Sequence, residues 1–274
     1  MDTAPHDAEA RSSMSIDHMP RLEFDEWLAE SLRLTVFPAG EATVRATDWW
    51  QQVTGAEPDQ VSTSGKRAVS AAEGIFEGKK LLLRSVLDRT DWFLVPTDSA
   101  TEEAVLNFEP PAIGHVGEAF ALFSSIAEKW FLSRDLPTIN RIAFGATLLN
   151  PVGDRRSAYA ALGEYIPVEI DPDSSDLLYQ INLPHVESAS VPGLEFNRLS
   201  KWLVTQHEFF AVPVGGVLGT PIAQGSSPLA IRLELDINTM PQFKGPIPKN
   251  KLPRVYHELV QAGRNIVSNG VVNQ

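Results

Sequence analysis

The stretch Leu229-Ala230-Ile231-Arg232-Leu233-Glu234-Leu235-Asp236-Ile237 alternates without a break. Every odd-numbered residue in it is a large aliphatic, and from Arg232 every even-numbered one is charged. Side chains along a strand point to opposite faces in turn, so this period of two specifies a strand with one buried and one wet face. The period then changes. Over 252–268 the apolar Val255, Tyr256, Leu259, Val260, Ile266 and Val267 recur at helical spacing, with Pro253 in the first turn and Asn269-Gly270 as a stop. A strand face and a helix stripe of this kind bury each other.

Upstream, the same pair of signals recurs. Residues 80–87 and 91–95 read as two strands joined by the polar turn Asp88-Arg89-Thr90, and 116–132 reads as a long amphipathic helix bearing Phe120, Phe123, Ile126, Ala127, Trp130 and Phe131. The run 138–149 is so little interrupted by charge that it belongs at a sheet centre. Strands are also expected at 32–37, 176–183 and 194–211, short helices at 47–53 and 155–165, and a loop over 56–72, where Ser, Gly and Pro gather. The expected fold class is α+β: a mainly antiparallel sheet with two long amphipathic helices packed on one face. Residues 1–21 read as a disordered acidic arm and 22–274 as a single domain, divisible into pseudo-repeats at about 32–135 and 138–268. Ile139-Asn140-Arg141-Ile142 and Phe196-Asn197-Arg198-Leu199 share the pattern apolar-Asn-Arg-apolar, which adds to the expectation of internal duplication.

Composition sets aside whole classes of chemistry. With no cysteine among 274 residues, disulfides, thiol nucleophiles and cysteine-ligated metal centres are excluded. The net charge of −12, with no basic run longer than Lys79-Lys80, argues against electrostatic capture of nucleic acid. The first twenty residues have neither the basic start nor the apolar stretch of a secretory signal, and no apolar run approaches the ~18 residues of a membrane span. A cytoplasmic location is therefore expected, with no membrane association.

No reactive constellation stands out. None of His6, His18, His115, His185, His207 and His257 has a second ligand at metal spacing, and His115 reads as a helix cap. The glycine-rich stretches at 215–219 and 225–227 fall between strands, where a hairpin or loop is expected in place of a phosphate cradle. Asp171, Asp173 and Asp176 lack the glycine and terminal glutamate of a calcium loop and read as a polar turn, while Glu234 and Asp236 read as solvated strand residues. No catalytic, cofactor-binding or metal-ligating residue is assigned, and no cofactor is expected.

Six residues are candidates for binding. Arg141 and Arg198 interrupt otherwise apolar strands, and a charge so placed needs a partner. An acid on a neighbouring strand is the ordinary one; an anion held with Asn140 and Asn197 is the functional one. Trp49 and Trp50, adjacent on a short helix, cannot both face inward by helical geometry alone; one exposed indole would suit a protein-binding anchor, and packing of the helix over the sheet is the competing account.

Taken together, the layout resembles a sporadically distributed family of uncharacterised bacterial proteins. The likeness is carried by the early strand, the Trp92-bearing hairpin, the helix ending Lys129-Trp130-Phe131, the strand Ile139-Asn140-Arg141-Ile142 and a strand ending Leu235-Asp236-Ile237 before the terminal helix. The resemblance implies a duplicated sheet-and-helix fold and a patchy distribution linked to mobile elements, and it carries no catalytic residues. The function expected is protein binding or assembly without catalysis, in a bacterial cytoplasmic complex or a homo-oligomer. The alternatives are a small-molecule or anion-binding protein, or an enzyme, with a pocket between sheet and helices, and an acidic inhibitor of a nucleic-acid-processing complex.

Overall fold

The computed structural model describes residues 21, 23–40, 46–65, 69–97, 111–206 and 229–272. The expected disordered arm lies outside them, apart from Arg21, as do His207 and the glycine-rich stretches at 215–219 and 225–227. The elements run β1 (Leu28–Pro38), α1 (Ala46–Thr54), β2 (Gln60–Ser64), β3 (Val69–Phe76), β4 (Lys79–Val86), β5 (Arg89–Val95), β6 (Gly114–His115), α2 (Val116–Phe131), β7 (Ile139–Val152), α3 (Arg155–Gly163), β8 (Leu178–Glu187), β9 (Glu195–Gln206), β10 (Leu229–Thr239) and α4 (Leu252–Asn269). The strands form one ten-stranded antiparallel sheet in the order β2-β3-β4-β5-β1-β7-β10-β9-β8, with the short β6 pairing β1.

The alternation in β10 does what its period demands. Ile231, Leu233, Leu235 and Ile237 are buried on the helix side, while Arg232, Glu234, Asp236 and Asn238 are half-buried on the other. The register carries the same face across the sheet, with Trp92 opposite Leu34, Leu34 opposite Phe144 and Phe144 opposite Ile237. Both long helices lie on that face. Phe120 of α2 meets Phe144 edge-on at 5.2 Å, and Gly263 of α4 sits so close to Phe144 that a Cβ there would fall 3.1 Å from its ring. Phe131 and Tyr256 bring α2 and α4 together, with ring centroids 5.9 Å apart. The fold is the α+β architecture that the two periods imply.

The loop expected over 56–72 is corrected: it contains β2 and the start of β3. β2 is exposed at all five residues, so it carries no apolar alternation to read. Pairing with β3 from Gln60↔Glu73 to Ser64↔Val69 makes it a strand. Ends elsewhere move by a few residues, as in β1, which begins at Leu28. No described helix is long and apolar enough to cross a membrane.

Apart from one more strand in the first meander and the two-residue β6, both halves follow one order of elements. The first runs β1, α1, a meander ending in β5, then α2; the second runs β7, α3, a meander ending in β10, then α4. In space β3-β4-β5-β1 on one side of the centre is matched by β7-β10-β9-β8 on the other, with β1 and β7 paired antiparallel between them. The two Asn-Arg motifs do not occupy matching places. Both lie in the second half, on β7 and β9, separated by β10.

Candidate binding site

Gly145 stands in the middle of β7, between Arg33 of β1 and Asp236 of β10, its partners in register on either side. The pleat points all three positions away from the helices. A Cβ at 145 would meet the Arg33 Nε at 3.2 Å, so the missing side chain lets the Arg33 guanidinium lie over the strand toward Asp236, 3.8 Å from its carboxylate. Glycine inside a strand marks this kind of close approach. One pleat away, Lys201 of β9 reaches Glu234 at 3.2 Å. These side chains bound a trough of about 460 Å³ floored by Gly145, with Phe93 and Leu199 contributing apolar wall.

A β-bulge supplies further charge nearby. Ala29 opposes Leu148 and Ser31 opposes Thr147, so Glu30 is an extra residue in β1. Its carboxylate comes 3.2 Å from the Arg232 guanidinium, two strands away. Several of these contacts are charge contacts without aligned hydrogen bonds. Arg33 Nε, Arg232 Nε and Glu30 Oε2 are buried atoms with no hydrogen-bond partner. The Arg33–Asp236 pair, with side chains 39% and 41% exposed, is worth only about 0–1 kcal/mol, so an incoming group can displace it at little cost.

Beside the trough runs a ladder of amides. Asn182 donates to Asn197 (3.2 Å), Asn197 to Asn238 (3.1 Å) and Asn238 to Asp236 (3.0 Å). Asn197 therefore joins the same face as the trough. Arg141 reaches the ladder too, donating to Asn238 Oδ1 at 3.4 Å and to the Thr239 carbonyl at 3.1 Å, and lying 5.0 Å above the Phe37 ring. Its partners are a carbonyl, an amide and an aromatic face, which corrects the expected acid on a neighbouring strand. Arg198 does not join it. Arg198 is opposite Ile237, so the pleat turns it to the helix side, where its guanidinium donates to the Pro184 carbonyl at 2.8 Å and burial pulls its pKa down. The two arginines cannot grip one anion from opposite faces of a sheet. Asn140 is half-buried next to the irregularity where β7 meets the end of β1.

Both indoles of α1 are buried, which corrects the expectation that one of them is exposed. Trp49 meets Trp130 of α2 edge-on at 5.3 Å, and Trp50 stacks over Trp92 of β5 at 6.3 Å. Adjacent helical residues point about 100° apart, and α1 is wedged in the angle between α2 and the sheet, so both directions lead inward. The same aromatic packing lies between the sheet and the helices. The trough is on the opposite face from the pocket expected there.

The remaining chemistry is occupied by structure. His115 opens α2 without a side-chain cap, correcting that expectation, and its Nδ1 lies 2.9 Å from the Asp25 carbonyl. The Glu258 carboxylate accepts from the hydroxyls of Ser188 (2.7 Å) and Ser190, tying α4 to the turn between β8 and β9. Asp171 and Asp173 lie in a turn, and Asp173 pairs with Arg156 at 2.8 Å. Among the described residues, no three histidine or acidic side chains are grouped as a metal site requires.

From sequence Asp236 is marked only as a solvated strand residue, and Arg33, Lys201 and Gly145 are not marked. The signals were present in Leu32-Arg33-Leu34 and in the glycine inside Ala143-Phe144-Gly145-Ala146. What sequence could not supply was the register that brings them together across three strands. No protein-family profile matches the chain, and no curated protein matches it.

Proposed function

We propose that this chain works by binding another protein, as a non-catalytic subunit of a bacterial cytoplasmic assembly, and that the trough over Gly145 holds a carboxylate-bearing segment of the partner. The observation that carries this reading is the Arg33 guanidinium, buried at Nε without a hydrogen-bond partner and laid over Gly145 on the face of the sheet away from the helices. A carboxylate accepts well from such a fork, because charged donors and acceptors make the stronger hydrogen bonds. Phe93 and Leu199 provide apolar contact beside it. The same reading takes the two halves, about 32–135 and 138–268, as pseudo-repeats, supported by their matching order of strands and helices.

The volume favours one second reading. About 460 Å³ falls within the range of small-molecule sites, so a small carboxylate or other anion is the alternative ligand, held at Arg33.

Gly145→Leu tests both. Its side chain fills the trough and displaces only the flexible Arg33, leaving the helix-side core untouched. Affinity capture from native lysate should lose the wild type's stoichiometric partner at least tenfold with Gly145→Leu and with Arg33→Met, while circular dichroism stays unchanged. Capture that is indifferent to both substitutions removes the trough from the reading. A wild type that holds no protein, yet gains thermal stability from small carboxylates, replaces the first reading by the second.

A further inference from the structure

The two outer edges of the sheet are built differently. At one, β8 carries Pro184, a register break between Leu183 and Val186 against β9, and the ionisable His185 and Glu187. Such devices keep an edge from pairing with another chain. At the other, β2 has none of them. Gln60-Val61-Ser62-Thr63-Ser64 is uncharged, free of proline, regular in its pairing with β3 and exposed throughout. Among the described residues no strand lies beyond it.

Apolar burial does not account for β2, yet it is firmly seated. Asp59, just before it, accepts from the Ile75 N–H at 2.9 Å. That approach needs Gly74, where a Cβ would fall 3.0 Å from the same carboxylate. A strand that buries nothing and is nevertheless clamped in place presents outward N–H and C=O groups that no described strand pairs.

We propose that β2 is a self-association edge, pairing antiparallel with β2 of a second copy about a two-fold axis at Ser62 and joining two sheets into one. Self-complementarity selects a second copy over an unrelated peptide. About Ser62, Val61 faces the partner's Thr63 and Gln60 faces the partner's Ser64, so β-branched residues meet and no like charges do. The contact is isologous, which closes at a dimer. Five paired residues bury less than the roughly 1,200 Å² of a standard interface, so the dimer dissociates on dilution.

The surface is separate from the trough, and its test is independent of it. The chain has no cysteine, so Ser62→Cys introduces a single thiol. Residues directly opposite in an antiparallel pair have Cβ atoms about 4.5–5.5 Å apart, close to disulfide reach. Under mild oxidation Ser62→Cys should form a covalent dimer at least tenfold faster than Leu178→Cys on the β8 edge. Sedimentation of the unmodified chain should show a concentration-dependent dimer that Gly145→Leu leaves in place and that Val61→Lys with Thr63→Lys abolishes. A chain that stays monomeric at the highest attainable concentration, or a Ser62→Cys rate no greater than that of Leu178→Cys, overturns the proposal.

Discussion

Trp130 is the residue on which the first half of the core converges. Its indole meets Trp49 at 5.3 Å, Trp92 at 5.9 Å and Phe131 at 5.7 Å, all fully buried. Aromatic pairs of this geometry contribute about 0.5–1.5 kcal/mol each beyond the area they bury. The cluster also carries a cost, since the indole nitrogens of Trp49, Trp50, Trp92 and Trp130 are buried without hydrogen-bond partners. Shape is what holds it together. Trp130→Ala should therefore lower stability by about 3–5 kcal/mol in urea titration, while Trp130→Phe keeps part of the ring packing, sheds an unsatisfied N–H and costs less. Equal losses from the two would show that the ring contacts contribute little.

At the scale of elements, the stop after α4 is the most constrained point. Gly270 has φ of 63°, in the region that favours glycine, and a Cβ there would lie 2.3 Å from the Tyr165 carbonyl oxygen. That carbonyl accepts from the Val271 N–H at 2.7 Å, so the helix end is fastened to the segment after α3. Neither backbone can move away without breaking this bond. Gly270→Ala should cost more than the ~1–3 kcal/mol of a backbone region that only glycine occupies readily, read as a fall in Tm of several degrees. Gly145→Ala, which meets only the movable Arg33 side chain, should cost far less. The contrast between β2 and the long helices also belongs here. An amphipathic helix announces itself through its stripe, whereas a fully exposed edge strand has no burial pattern and looks like a loop in sequence.

For the whole molecule, the decisive feature is the central pair β1 and β7. Each half contributes one of these strands, and α2 of the first half packs on α4 of the second across them. Each long helix packs mainly on strands of its own half, and the contact between α2 and α4 adds a second seam to the pairing of β1 with β7. Unfolding should therefore be a single cooperative step. Tryptophan fluorescence, weighted toward the first half, and far-ultraviolet circular dichroism, which reports both, should give coincident denaturant midpoints. Midpoints that separate would mean that the halves are independent units.

The sequence by itself determined the class of fold: alternation in β10 and β7 and the stripes of α2 and α4 are local periodicities, and each dictates which face must be buried. It also marked Arg141 and Arg198 as similar, because four-residue patterns carry no information about pleat or neighbours. Only the tertiary structure decided that one turns to the open face and the other to the helix side. It also decided that Trp49 and Trp50 are both enclosed, and that Arg33, Gly145 and Asp236 lie in one row. Register and helix wedging arise from contacts between residues distant in the chain, and no local period encodes them.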